Sequence, residues 1–188
     1  MTALLRFDQL ACWRGGRMLF EGLDLALTAG EALWVRGPNG AGKSSLLRLA
    51  CGLLKPAAGT VRAQAAALAD HALALDREQP LASALDWWAA LDGGSVADAM
   101  AAFDLTHLAE VPVRMLSTGQ ERRAALARVA ASGASLWLLD EPVSGLDTRS
   151  VELLGVAVTK HRKAGGAVVA ASHVPLPGGE WRILELGG

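Results

Sequence analysis

The run Gly37-Pro38-Asn39-Gly40-Ala41-Gly42-Lys43-Ser44 carries the spacing GxxxxGK[ST]. Residues of these types at this spacing grip phosphate. Successive backbone N–H groups of a glycine-rich turn converge on anionic oxygens, the N-terminus of the next helix adds partial positive charge, and Lys43 adds a full one. Ser44 offers a hydroxyl to a magnesium ion, and Ser45 carries the site into the helix. An ordinary glycine-rich turn with a surface lysine is the bland alternative, and the flanks argue against it. Before the run stands EALWVRG, apolar at Leu33, Trp34 and Val35 as a buried strand is; after it stands SSLLRLACG, an amphipathic helix stopping at Gly52. Strand, glycine loop and helix form the context the motif needs.

A second constellation closes the run Leu136-Trp137-Leu138-Leu139-Asp140-Glu141, an apolar strand ending in adjacent carboxylates. Folds of this kind bind ligands at the carboxyl edge of the sheet. Neighbours on a strand point to opposite faces, so the two carboxylates are expected to divide the work. Asp140 would hold the magnesium ion, directly or through water, and Glu141 would orient or polarise the attacking water. Alone, the pair reads as a solvated turn before Pro142. Beside a phosphate loop it reads as the hydrolytic half of a nucleotide site.

The elements that position these residues follow from periodicity and punctuation. Leu4 to Leu27 mixes short apolar stretches around Gly15-Gly16, which predicts a hairpin and a small antiparallel layer. Ala65 to Leu75 is nearly all apolar and is read as a further strand region, although its periodicity suits a helix equally. From Pro80 to about Ser132 the pattern is helical: LASALDWWAAL, then SVADAMAAF with Ser95 as N-cap, then QERRAALARVAA ending at Gly133. Three helices in succession predict an inserted helical lobe. RSVELLGVAVTKHRKAGG predicts an amphipathic helix with a basic last turn, AVVAASH a second buried strand, and WRILELGG a closing edge strand. Alternating strands and helices imply an α/β fold with a mostly parallel sheet covered on both faces. A single domain is expected over 1–188, with the β layer and phosphate-loop core in 1–79, the helical subdomain in 80–132 and the rest of the core in 133–188.

Composition sets bounds on the partners. The 188 residues are 52% apolar and 20% charged, with formal net charge −1, two cysteines and no tyrosine. Such a chain buries a core and is not disordered. Near-neutrality gives no global attraction to nucleic acid or an anionic membrane, and nucleic acid is not an expected partner. Cys12 and Cys51 have neither CxxC nor Cys/His spacing, so they are expected as small buried apolar residues in a reducing cytosol. No basic segment followed by a long apolar run opens the chain, and no apolar stretch reaches spanning length.

Leu116-Ser117-Thr118-Gly119-Gln120 precedes the helix ERRAALARV. Serine and glycine before a helix suit any N-cap, so the pentapeptide alone says little. The order of motifs says more: phosphate loop, this segment, LLDEP, Ser144-Gly145-Leu146-Asp147, then His173 after a strand. Over essentially its whole length the chain resembles the ATP-binding cassette family, whose signature is LSGGQ. That resemblance implies a P-loop NTPase core with an N-terminal antiparallel β layer and an inserted helical subdomain, ATP and Mg²⁺ as ligands, and ATP hydrolysis. It implies a head-to-tail pair of copies, in which Ser117, Gly119 and Gln120 of one meet the nucleotide held by the phosphate loop of the other. Asp147 would lie in the loop joining the two sites. His173, by itself an unremarkable strand-end histidine, would be the switch that touches the γ-phosphate and the attacking water. A nucleotide kinase would have the phosphate loop without this signature, and a soluble cassette acting on DNA or ribosomes would need extensions this chain lacks.

The departures bear on particular residues. Thr118 replaces a glycine of the signature, which costs the backbone freedom there. Trp13 is the nearest aromatic residue that could stack on adenine; a buried hairpin tryptophan is the alternative. Gln79, in REQP, is the nearest candidate for the loop glutamine that reaches the metal, and a plain surface turn is the alternative. CWRGGRMLFEGLDLAL, GPNGAGKSSLLRLACGLLKPAAGTV and PVRMLSTGQERRAALARV are most similar to the cassette subunits of the heme exporter of bacterial cytochrome c maturation. Another small-substrate exporter is the runner-up. Transmembrane permease subunits as partners, and a peripheral place on the cytoplasmic face of the inner membrane, are what that resemblance implies. Heme itself is not expected on this chain: His71, His107 and His161 are scattered, and no CxxCH occurs. Trp87 and Trp88 diverge by about 100° on a helix, so one could anchor a membrane partner while the other is core, or both could be core.

Overall fold

In the computed structural model, which describes residues 2–187, strands β1 (Ala3–Arg14) and β2 (Arg17–Thr28) pair antiparallel across the Gly15-Gly16 turn. Both glycines take positive φ, +61° and +78°, the left-handed region that side chains resist and that tight hairpins require. β4 (Ala58–Ala63) pairs with the other edge of β1, completing a three-stranded layer in the order β2-β1-β4. The AGTVRA stretch shows no apolar alternation, and five of its six residues are exposed. Its strand form comes from pairing with β1, which a local pattern does not announce.

The second sheet contains β3 (Ala32–Arg36), β5 (Ala66–Ala69), β6 (Leu136–Asp140), β7 (Ala167–Ala171) and β8 (Arg182–Glu185), in the order β5-β6-β7-β3-β8. Every neighbouring pair is parallel. All residues of β6 and β7 are buried, as continuous apolar runs in a sheet covered on both faces should be. Leu136, Leu138 and Val169 pack with the antiparallel layer and helix α1 (Lys43–Ala50). Trp137, Leu139 and Val168 pack on the opposite face, with helices α2 (Leu81–Asp92), α3 (Val96–Ala102), α4 (Thr118–Ala131) and α5 (Thr148–Lys163). Alternate side chains of one strand thus supply two cores.

The strand expected within Ala65 to Leu75 is confined to Ala66–Ala69. Beyond it Asp70 accepts a hydrogen bond from the Ala72 N–H at 3.0 Å, a local turn that ends the strand, and Leu75 is buried from the following loop. The helical stretch contains α2, α3 and α4, with 3₁₀ turns at Thr106–Leu108 and Val113–Met115 between the last two. Ser95 caps α3 as expected, accepting from the Asp98 N–H at 3.2 Å. α4 starts at Thr118, earlier than its apolar pattern indicates, because Ser117 and Gln120 cap it reciprocally. Among the described residues no helix is long and apolar enough to cross a membrane.

Candidate nucleotide site

The phosphate loop joins β3 to α1 at the carboxyl edge of the parallel sheet. Gly37 takes φ +141°, and a Cβ there would lie 2.3 Å from the Leu186 carbonyl oxygen; only glycine permits this approach. Lys43 begins the helix and is 7% exposed, its Nζ donating to the carbonyls of Gly37 at 2.8 Å and Pro38 at 3.1 Å. Arg17 reaches across from the hairpin and donates to the Gly40 carbonyl at 2.9 Å. The loop is thereby braced from both sheets.

A pocket of about 450 Å³ opens over this loop. Asn39, Gly40, Gly42, Lys43, Ser44 and Ser45 line it, with Asp140, Glu141 and His173. Gly37, Pro38 and Ala41 shape the turn without lining the pocket; the Ala41 N–H donates to the Pro38 carbonyl at 3.2 Å. The carboxylates were expected on opposite faces, and the structure corrects this. Asp140, 3% exposed, ends β6, whereas Glu141 has left the strand with φ +48° and its N–H donates to the Ala171 carbonyl at 2.8 Å. A left-handed residue breaks the strand alternation, so both acids line one pocket.

His173 follows β7 and joins cation to anion. Its Nε2 lies 3.3 Å from Lys43 Nζ and 3.3 Å from Glu141 Oε1. One ring nitrogen cannot serve both at once. Without a hydrogen it accepts from Lys43, and a protonated ring would pair by charge with Glu141.

The signature residues stand apart. Ser117 N–H donates to Gln120 Oε1 at 2.8 Å, and Gln120 N–H donates to Ser117 Oγ at 3.4 Å. Neither they nor Gly119 line the pocket over the phosphate loop. The start of α4 instead borders a neighbouring pocket of about 250 Å³, lined by Thr118, Glu121 and Arg122 with Asp70, His71, Ser144 and Gly145. Asp147 caps α5, accepting from the Ser150 N–H at 2.7 Å, and these hydrogen bonds to Ser150 hold its carboxyl below the usual range.

Two expected residues are not brought to the pocket. Trp13 is 57% exposed on the outer hairpin, so the buried alternative is wrong, and it does not line the pocket, which its neighbour Arg14 does. Gln79 lies beside Trp87 and Trp88 in a separate groove, its carbonyl accepting from the Val113 N–H at 3.0 Å. The early end of β5 explains this: the residues that follow the strand are Asp70 and His71, and His71 lines both the phosphate pocket and its neighbour. His71, Arg14 and Arg17 escape a reading of motifs, although RGGR at a hairpin tip is a basic cluster visible in the sequence.

A parallel sheet with a phosphate loop at its carboxyl edge, an antiparallel layer to one side and a helical segment inserted on the other defines the ATP-binding cassette class of P-loop ATPases. Residues 20–144 match the ABC transporter family. The chain is 59% identical to the cytochrome c biogenesis ATP-binding export protein CcmA of Sphingopyxis alaskensis, over 94% of this chain and 93% of that protein. It is 49% identical to the protein of the same name from Zymomonas mobilis, over 98% and 85%. Among solved structures, the dimeric post-hydrolysis state of the cassette MJ0796 bound to ADP and Pi superposes with a TM-score of 0.84 at 21% identity, covering 97% of this chain and 94% of that one, a likeness of fold. The chain belongs to the ABC transporter family, and within it to the cytochrome c biogenesis ATP-binding export proteins, as an ATP-hydrolysing cassette.

Proposed function

We propose that the pocket over the phosphate loop is the hydrolytic site, completed by the signature segment of a second copy and coupled to membrane permease subunits. The supporting observation is the convergence of Lys43, Asp140, Glu141 and His173 in one pocket, with His173 Nε2 at 3.3 Å from both Lys43 Nζ and Glu141 Oε1. Lys43, with the N–H groups around Gly40 and Gly42, binds the phosphates. Ser44 and Asp140 line the same pocket and are hard oxygen donors, which suits Mg²⁺, an ion that takes one or two carboxylates plus phosphate oxygens. Ser44 and Asp140 would hold the ion, which would supply positive charge against the phosphates. Glu141 orients a water and accepts its proton as the water oxygen bonds to the γ-phosphorus and the bridging oxygen leaves with ADP. His173 lies where it can sense the γ-phosphate, and exchanging Lys43 for Glu141 as its partner is the switch. His71 takes the place expected of Gln79, reaching the pocket from the end of β5.

Ser117, Gly119 and Gln120 lie outside the pocket of their own chain, which supports their use by another copy. Trp87 is 61% exposed while Trp88 packs inward, its Nε1 donating to the Ala74 carbonyl at 2.9 Å, so Trp87 is available to a permease. The names of the relatives place the task in export for cytochrome c biogenesis. The likeness to heme-exporter cassettes makes heme-linked export the reading, with a peripheral location on the cytoplasmic face of the inner membrane. Glu141→Gln tests the site: ATP binding should persist while turnover falls at least about a hundredfold, within the range for loss of a general base. Undiminished turnover removes Glu141 from its role.

A further inference from the structure

Arg122 lies one turn into α4 and crosses from the signature helix to the ends of two parallel strands. Its Nη1 donates to the Asp70 carbonyl at 3.1 Å, and its Nη2 to the Asp140 carbonyl at 2.6 Å and to the Glu141 carbonyl. Its Nε is buried and has no hydrogen-bond partner among the described residues. Withdrawing a guanidinium from water is unfavourable, and the fork regains energy only by holding these carbonyls together. A strut that merely joined helix to sheet could use apolar contacts. This one ends on the backbone of both pocket carboxylates and on Asp70, the neighbour of His71. Glu141 also sits at φ +48°, a conformation that residues with a Cβ leave readily unless the surroundings hold it.

We infer that Arg122 is a positioning residue for hydrolysis: its fork holds the Glu141 backbone in the conformation that aims the carboxylate into the pocket, and ties that aim to the position of the α4 N-terminus. The inference rests on the reading of Glu141 as the group that orients water. A shift of the signature end of α4 when a second copy engages it is then passed to Glu141 of the same chain. The guanidinium is the rigid link, because its donors keep a fixed mutual geometry.

The test uses the full chain with Arg122→Met, Arg122→Lys, Glu141→Gln and the double variant Arg122→Met/Glu141→Gln. Titration with a fluorescent ATP analogue, steady-state and long-incubation hydrolysis, and thermal unfolding are measured for each. Arg122→Met should bind nucleotide within about threefold of the parent and lose about tenfold or more in kcat with KM little changed, the pattern of an interaction used in the transition state. Arg122→Lys, which keeps the charge but not the fork, should fall between them. The double variant should be no slower than Glu141→Gln alone, since Arg122 acts through Glu141. The inference is overturned by a kcat for Arg122→Met within twofold of the parent, by a kcat loss matched by lost affinity, or by additive losses in the double variant. Should Arg122→Met fail to fold, Arg122→Lys decides: a kcat within twofold of the parent overturns the inference. Full turnover in Glu141→Gln would instead refute the role of Glu141, so the two failures are told apart.

Discussion

Lys43 is a buried cation whose Nζ already touches two carbonyls and a histidine. Those contacts hold the ammonium over the loop interior, beside the backbone N–H groups that would share the phosphates with it. Lys43→Ala removes a charged hydrogen bond, which corresponds to about 1.5–3 kcal/mol and hence about 10- to 150-fold in ATP affinity. A fluorescent-nucleotide titration checks this, and affinity within twofold of the parent would contradict it. At this scale the motif spacing was legible because a phosphate loop is contiguous. The convergence of His173 on Lys43 was not, since the two are brought together only by the adjacency of β3 and β7.

Elements carry two further expectations. His161 of α5 stacks on Trp137 of β6, ring centroids 4.0 Å apart, with Nε2 donating to the Ser135 carbonyl at 3.2 Å. Burial pushes its pKa below the ordinary 6.5, against the raising effect of backbone hydrogen bonds at Ser135 and Ala167. The unfolded chain therefore takes up this proton first, and stability falls as pH drops through about 6.5 towards the lower folded-state value. His161→Phe should flatten the decline in Tm between about pH 7 and pH 5.5, measured by thermal unfolding; an unchanged slope would dismiss His161 as the cause. The N-terminus of α4 separates stability from function. Ser117→Asp preserves an N-cap acceptor, so Tm should move by no more than about 2 °C, while a carboxylate facing the partner's nucleotide should abolish hydrolysis. Parent-like turnover in this variant would mean that Ser117 meets no phosphate. The apolar pattern announced α5 and the body of α4, though not the start of α4, which its cap sets. It did not announce β4, which borrows its form from β1, nor the early end of β5, where Asp70 turns the chain.

For the whole molecule, Ser117, Gly119 and Gln120 do not line the pocket over their own phosphate loop, and the proposed function therefore calls on a second copy to supply them. A net charge of −1 offers little repulsion between copies. With Mg-ATP, Glu141→Gln should therefore run at twice the 19.5 kDa chain mass in light scattering, and as a single chain with ADP. A single-chain mass with ATP at concentrations that saturate binding would refute the paired arrangement. Local order along the chain was enough to determine the strand–loop–helix unit, the buried strand ending in Asp140-Glu141 and the α/β class, because each depends on residue types at short separation. Tertiary packing alone decided that Glu141 joins Asp140 on one side through a left-handed backbone, that His71 lines the pocket while Gln79 lies in a separate groove, and that Arg122 ties signature helix to strand ends. Those outcomes depend on where one strand stops and which distant carbonyls meet a side chain, quantities set by pairing across the sheet.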